Sequence, residues 1–145
     1  MTQPVVWRPP HPYVPGQTAR HPEDLFDRFK DVRVNDPLPS LAASMAWAAG
    51  QAFLRDGYFW EAHEVLEALW LACPPNGAER VSVQAAIQLA NAGLKARMGR
   101  SGAALRLLEI ARALSVQARA RGGDPVLVLA PADWERIERN VRLAE

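Results

Sequence analysis

Apolar residues recur at helical spacing along most of the chain. Leu41, Met45, Ala48 and Ala52 form one stripe. Ala62, Val65, Leu66 and Leu69 form a second, and Val83, Ile87, Ala90 and Leu94 a third. Ala104, Leu107, Leu108, Ala111, Leu114 and Ala118 continue the period, as do Trp134, Ile137 and Val141. Spacings of three and four residues place such side chains on one helical face. The pattern predicts helices over about 41–56, 58–72, 78–98, 103–121 and 131–143. The punctuation agrees. Gly57 ends the first helix, Pro74-Pro75-Asn76-Gly77 the second, Gly99-Arg100-Ser101-Gly102 the third (with Ser101 capping the next) and Gly122-Gly123 the fourth. Pro131 and Asp133 suit a first turn. A shorter helix is expected over 22–33, and Ser40 is a candidate N-cap after Pro37-Leu38-Pro39. Val126-Leu127-Val128-Leu129 reads as a short extended stretch.

Short turns make neighbouring helices antiparallel. The expected fold class is all-α: a compact bundle of about five main antiparallel helices with a proline-rich N-terminal arm. The expected organisation is one domain over 1–145, with the arm at 1–22, a four-helix core at 41–121 and a C-terminal helix at 131–143. The arm holds six of the 12 prolines, which remove backbone donors and disfavour helix in the preceding residue. It also carries Trp7, His11, Tyr13, Val14 and His21. A disordered tail is poorer in aromatics, so the arm is expected to pack along the helical body.

Composition narrows the class further. At 145 residues the chain can bury a continuous core without staples. The single cysteine, Cys73, excludes an intrachain disulfide and fits a reducing compartment. Met1-Thr2-Gln3-Pro4 has neither a basic start nor an apolar run, and no stretch reads as a membrane span. A cytoplasmic protein that does not associate with membranes is expected. The net charge of +1 argues against a nucleic-acid partner, which calls for a basic surface. The charge is uneven: residues 1–72 hold 6 basic against 9 acidic side chains, a net of −3, and residues 73–145 hold 11 against 7, a net of +4. The two halves suit each other better than they suit an external polyanion. Arg136, Arg139 and Arg142 read as a solvated edge.

The candidate chemistry lies on the second and third long helices. His63, Glu67 and Trp70, at i, i+4 and i+7, edge the apolar stripe of 58–72, extended by Glu64 and Trp60. Glu61 is expected to point away to solvent. Gln84, Gln88, Asn91 and Lys95 form a polar stripe along 78–98. Antiparallel packing would set the two edges across a shared groove. A hydrogen-bond network that fixes helix register is one reading. A pocket for a small molecule or protein partner, lined also by Trp60 and Trp70, is the second. A metal-assisted hydrolase is the third. Its divalent transition metal would be held by His63 and Glu67, with Glu64 as general base in the manner of His-Glu-x-x-His. The second histidine of that pattern is replaced by Glu67, so a third ligand must come from His21, His11 or Glu109. A di-iron site fails because Trp60 stands three residues before His63, where Glu-x-x-His needs a carboxylate. Cys73 beside Pro74 lacks a neighbouring histidine. Ser82, Ser101 and Ser115 lack a nucleophile elbow.

The run Asp56-Gly57-Tyr58-Phe59-Trp60-Glu61-Ala62-His63-Glu64-Val65-Leu66-Glu67-Ala68-Leu69-Trp70, followed by Gln84-Ala85-Ala86-Ile87-Gln88-Leu89-Ala90, resembles the bacterial and archaeal family catalogued as domain of unknown function 309. Gly102 to Leu108 is also similar, and so is the arm segment from Tyr13 to Gln17 with His21-Pro22. The resemblance spans roughly 9–120. It implies an all-helical fold and no established activity. The expected function is therefore a non-catalytic binding module, without a cofactor, that engages a small molecule or protein through the groove between 58–72 and 78–98. A homodimer is one assembly such a module would form.

Overall fold

The computed structural model describes residues 7–121 and 125–143. Residues 1–6 of the expected arm and the Gly122-Gly123 stop lie outside them. The described residues are all-helical apart from loops and turns. Two short elements come first, a 3-10 turn at Asp27–Phe29 and α1 at Leu38–Ala42. Five longer helices follow: α2 Met45–Asp56, α3 Phe59–Ala72, α4 Ala78–Arg97, α5 Ser101–Ala120 and α6 Pro131–Leu143.

Local chemistry explains the boundaries, and several differ from expectation. The helix expected over 41–56 is broken at Ser44, whose extended backbone (φ −70°, ψ 155°) starts α2 afresh. Ser44 Oγ accepts from Trp47 N at 3.1 Å. The Asp31 carboxylate accepts from Met45 N and Ala46 N at 2.9 and 3.1 Å. The N-cap is thus Ser44, not Ser40, which lies inside α1. The expected 22–33 helix shrinks to the single turn at Asp27–Phe29. Phe26 and Phe29 both turn inward, and Asp31 is committed to capping α2. At its other end α2 closes on Gly57 in the left-handed region (φ 82°), with Tyr58 N donating to Phe53 O at 2.8 Å. Ser101 is the first residue of α5 and makes no side-chain cap.

One apolar core joins these elements. Small residues bring the helices close. A Cβ built on Gly93 of α4 would lie 2.3 Å from the Phe59 ring of α3, and one on Gly50 of α2 would lie 2.4 Å from Leu66. α6 buries Ile137 and Val141, packing against α4. The apolar 126–129 segment forms no strand; Leu127 and Leu129 are buried, with Val126 N and Leu127 N donating to the Glu79 carboxylate. No helix among the described residues is long and apolar enough to cross a membrane.

The arm packs on the body. Arg8 pairs with Asp56 at 2.6 Å, Tyr58 Oη donates to Pro9 O at 3.4 Å, and Gln17 Nε2 donates to Arg97 O at 2.8 Å. Trp7 stacks on Phe29 with ring centroids 6.2 Å apart. The arm thereby covers the junction of α2, α3 and the C-terminal end of α4.

Candidate functional site

The register of α3 against α4 follows from two contacts. Phe59 sits on Gly93, and the Arg80 guanidinium stacks 4.1 Å from the Trp70 ring centroid. Between these ends, antiparallel helices set His63 level with Gln88 and Glu67 level with Gln84. The side chains of the two polar edges fall into three groups.

The first group is closed. Glu61, expected at the surface, is fully buried (0% exposed). His21 Nε2 lies 2.7 Å from Glu61 Oε2, with side-chain exposures of 2% and 0%. Tyr13 N donates to the same oxygen at 2.6 Å. Glu61 Oε1 has no hydrogen-bond partner. Aromatic rings seal the pair. Phe26 meets the His21 ring edge-on at 5.5 Å, His11 lies 4.8 Å from it, and Trp60 stands at right angles to Tyr13 at 5.1 Å. Trp60 belongs to this enclosure, not to the open groove. The physical reason is phase. Glu61 precedes Val65 by four residues and Leu69 by eight, so it shares their inward stripe.

The second group is the half-exposed edge. His63 Nε2 and Glu67 Oε2 pair at 3.0 Å across one turn, with side chains 29% and 54% exposed. Glu64 pairs with Lys30 at 3.5 Å. On α4, Asn91 Nδ2 donates to Gln88 Oε1 at 3.3 Å, and Gln84 and Gln88 are half-buried. The bonds that His63, Glu67, Gln88 and Asn91 make run along their own helices, and Glu64 pairs with the Lys30 segment, so no bond recorded for this edge crosses the seam.

The third group is concave. Trp70 of α3 and Gln84 and Arg80 of α4 line a cleft of about 280 Å³ with Leu114 and Gln117 of α5. Trp70 Nε1 has no hydrogen-bond partner, and Arg121 donates to Asn76 O at 2.9 Å on the cleft's border. Residue spacing alone did not show that α5 completes this wall.

The metal reading meets a shortage of ligands. His63 and Glu67 come together, but His21 is engaged with Glu61. Among the described residues no group of three His, Cys, Asp or Glu side chains is placed to hold an ion. Glu109 is exposed on α5, and His11 bonds Ala19 O at 2.8 Å. Cys73 is buried. Burial pushes its thiol from 9.0 up to about 11, assisted by Glu79 and opposed by Arg80. Such a thiol is a poor nucleophile at neutral pH.

A family model described as a domain of unknown function, DUF309, matches residues 47–107. The match runs from the first turn of α2 into α5, taking in the whole α3–α4 edge and stopping short of the arm. No curated protein and no solved structure matches the chain.

Proposed function

We propose that the α3–α4 edge, which lies inside the 47–107 match to the DUF309 family model, is a non-catalytic binding groove whose concave end at Trp70 receives the ligand. The observation that carries this reading is the cleft itself. Two residues from the polar edges, Trp70 and Gln84, line one concavity with a stacked guanidinium, a side-chain amide on Gln117 and an apolar wall at Leu114. Polar groups converging on a concavity with an apolar side are among the makings of a small-molecule or peptide-anchor site. Trp70 Nε1 supports it as well. An unmade hydrogen bond on a buried donor costs on the order of 1–3 kcal/mol, which an acceptor would recover where a shift of the covering side chains lets it reach Nε1. The His63–Glu67 pair extends the polar track towards the other end of α3.

The reading takes a flat or acyl group carrying an acceptor oxygen, presented by a small molecule or by a partner's side chain. Ligand-observed NMR with a set of aromatic carboxylates and carboxamides tests it. Binders are expected, and Trp70→Ala and Gln84→Ala should each weaken them. The absence of binders, or binders indifferent to both substitutions, would overturn it. Metal analysis tests the runner-up, a metal-dependent hydrolase with His63 and Glu67 as ligands and Glu64 as base. Stoichiometric zinc, manganese or iron in the purified protein, lost in His63→Ala, would replace the binding-module reading.

A further inference from the structure

On the other side of α4 lies a second cavity, of about 440 Å³, formed by α4, α5, α6 and the segment leading into α6. Its volume falls in the range of small-molecule sites. The chemistry of its walls is divided. Ala85 and Ala86 of α4 keep one surface low. Val128, Leu129 and Trp134 make an apolar wall. Opposite them, α5 contributes Arg112, Ser115 and Arg119, at i, i+3 and i+7, so that two guanidiniums and a hydroxyl share one helical face.

The two arginines are not equivalent. Arg112 forms a close ion pair with Glu138, which takes up much of its charge. Arg119 has no hydrogen bond or ion pair among the described residues. Glu135 is the one carboxylate lining the cavity. Arg119 is therefore a cation without a direct ion-pair partner, with the Ser115 hydroxyl one turn away, in a cavity that also holds the Glu135 carboxylate and an apolar surface.

We infer that this cavity is a binding site for a small amphiphilic monocarboxylate. The carboxylate lies along the Ser115–Arg119 edge of α5, and the hydrocarbon or aryl group lies against Val128, Leu129 and Trp134. The site shares no lining residue with the Trp70 cleft and stands independently of the function proposed there.

Titration of the isotope-labelled full chain with octanoate, and separately with octylamine, tests the inference by amide and indole NMR shifts. Octanoate should give saturable shifts centred on Ser115, Leu129 and the Trp134 indole, and octylamine should bind more weakly. Arg119→Glu, on an exposed position, should weaken octanoate by about tenfold, the loss expected for one charge-assisted hydrogen bond. Ser115→Phe, placed on a half-exposed face, should block the cavity and abolish the shifts while the rest of the spectrum stays folded. Any of three results would overturn the site: no saturable shifts with octanoate, equal binding of octylamine, or unchanged octanoate affinity in a folded Arg119→Glu protein. Shifts centred on Trp70 and Gln84 would also overturn it, assigning octanoate to the other cleft.

Discussion

The two ends of α3 use similar residues to opposite effect. At its N-terminal end Glu61, Trp60 and a histidine are packed into a sealed contact with the arm. One turn on, His63 and Glu67 make the same kind of pair in partial contact with water, and Trp70 borders an open cleft. The difference teaches that a histidine–glutamate pair does not by itself mark a site. Enclosure converts the first pair into a clasp, because a carboxylate removed from water must be held by good donors. Exposure leaves the second pair weak and its neighbours available.

Substitutions at the two ends should therefore separate widely. Glu61→Ala removes one partner of a buried pair and frees Tyr13 N, and should cost about 3–5 kcal/mol. Denaturant unfolding would show it, and an unchanged midpoint would mean that the clasp carries no stability. Truncation of residues 1–21 should also destabilise, since it uncovers Phe26 and Phe29 and strands Glu61. Combined with Glu61→Ala it should cost less than the two separate losses added together, because both break the same contact. Full additivity would show that the arm is held elsewhere.

Gly93→Ala should cost about 1–3 kcal/mol by driving a methyl group into the Phe59 ring. A neutral result would mean that α3 and α4 can part without loss, which would undo the register on which the groove depends. Glu67→Ala should cost at most about 1 kcal/mol, the scale of an exposed ion pair. A loss as large as that of Glu61→Ala would make the open edge structural after all.

The smallest effect concerns Cys73. Its folded thiol ionises near 11 and the unfolded thiol near 9.0, so the residue adds no pH dependence below 9.0. Between those values the unfolded chain loses its proton first, and stability falls as pH rises. Cys73→Ala should remove that part of the alkaline decline. A thiol reagent should label the native protein slowly at neutral pH and the denatured protein fast; rapid native labelling would contradict the burial.

Much of this was legible in the residues. The five long helices follow from apolar spacing and from Gly57, Pro74-Pro75 and Pro131. Residue spacing also put His63 and Glu67 on one edge of α3, where they pair across a turn. Two kinds of information were not. The break at Ser44 depends on Asp31, whose carboxylate arrives from another segment to cap α2. The Trp70 cleft needs Leu114 and Gln117 from α5, which no local pattern on α3 or α4 supplies. Glu61 is a different case. Its phase with Val65 and Leu69 placed it inward, and only the habit of sending carboxylates to solvent argued otherwise. The arm's histidine and aromatics were the signal that a buried acid had partners waiting.

Trp60 and Trp70 are natural reporters at the closed and open ends of one helix. The most direct test follows both indole N–H resonances in a single titration with an aromatic carboxylate that binds the protein. A saturable shift of the Trp70 signal while the Trp60 signal stays in place is the result expected of a sealed clasp and an open groove. A moving Trp60 with a silent Trp70 would contradict that division of α3.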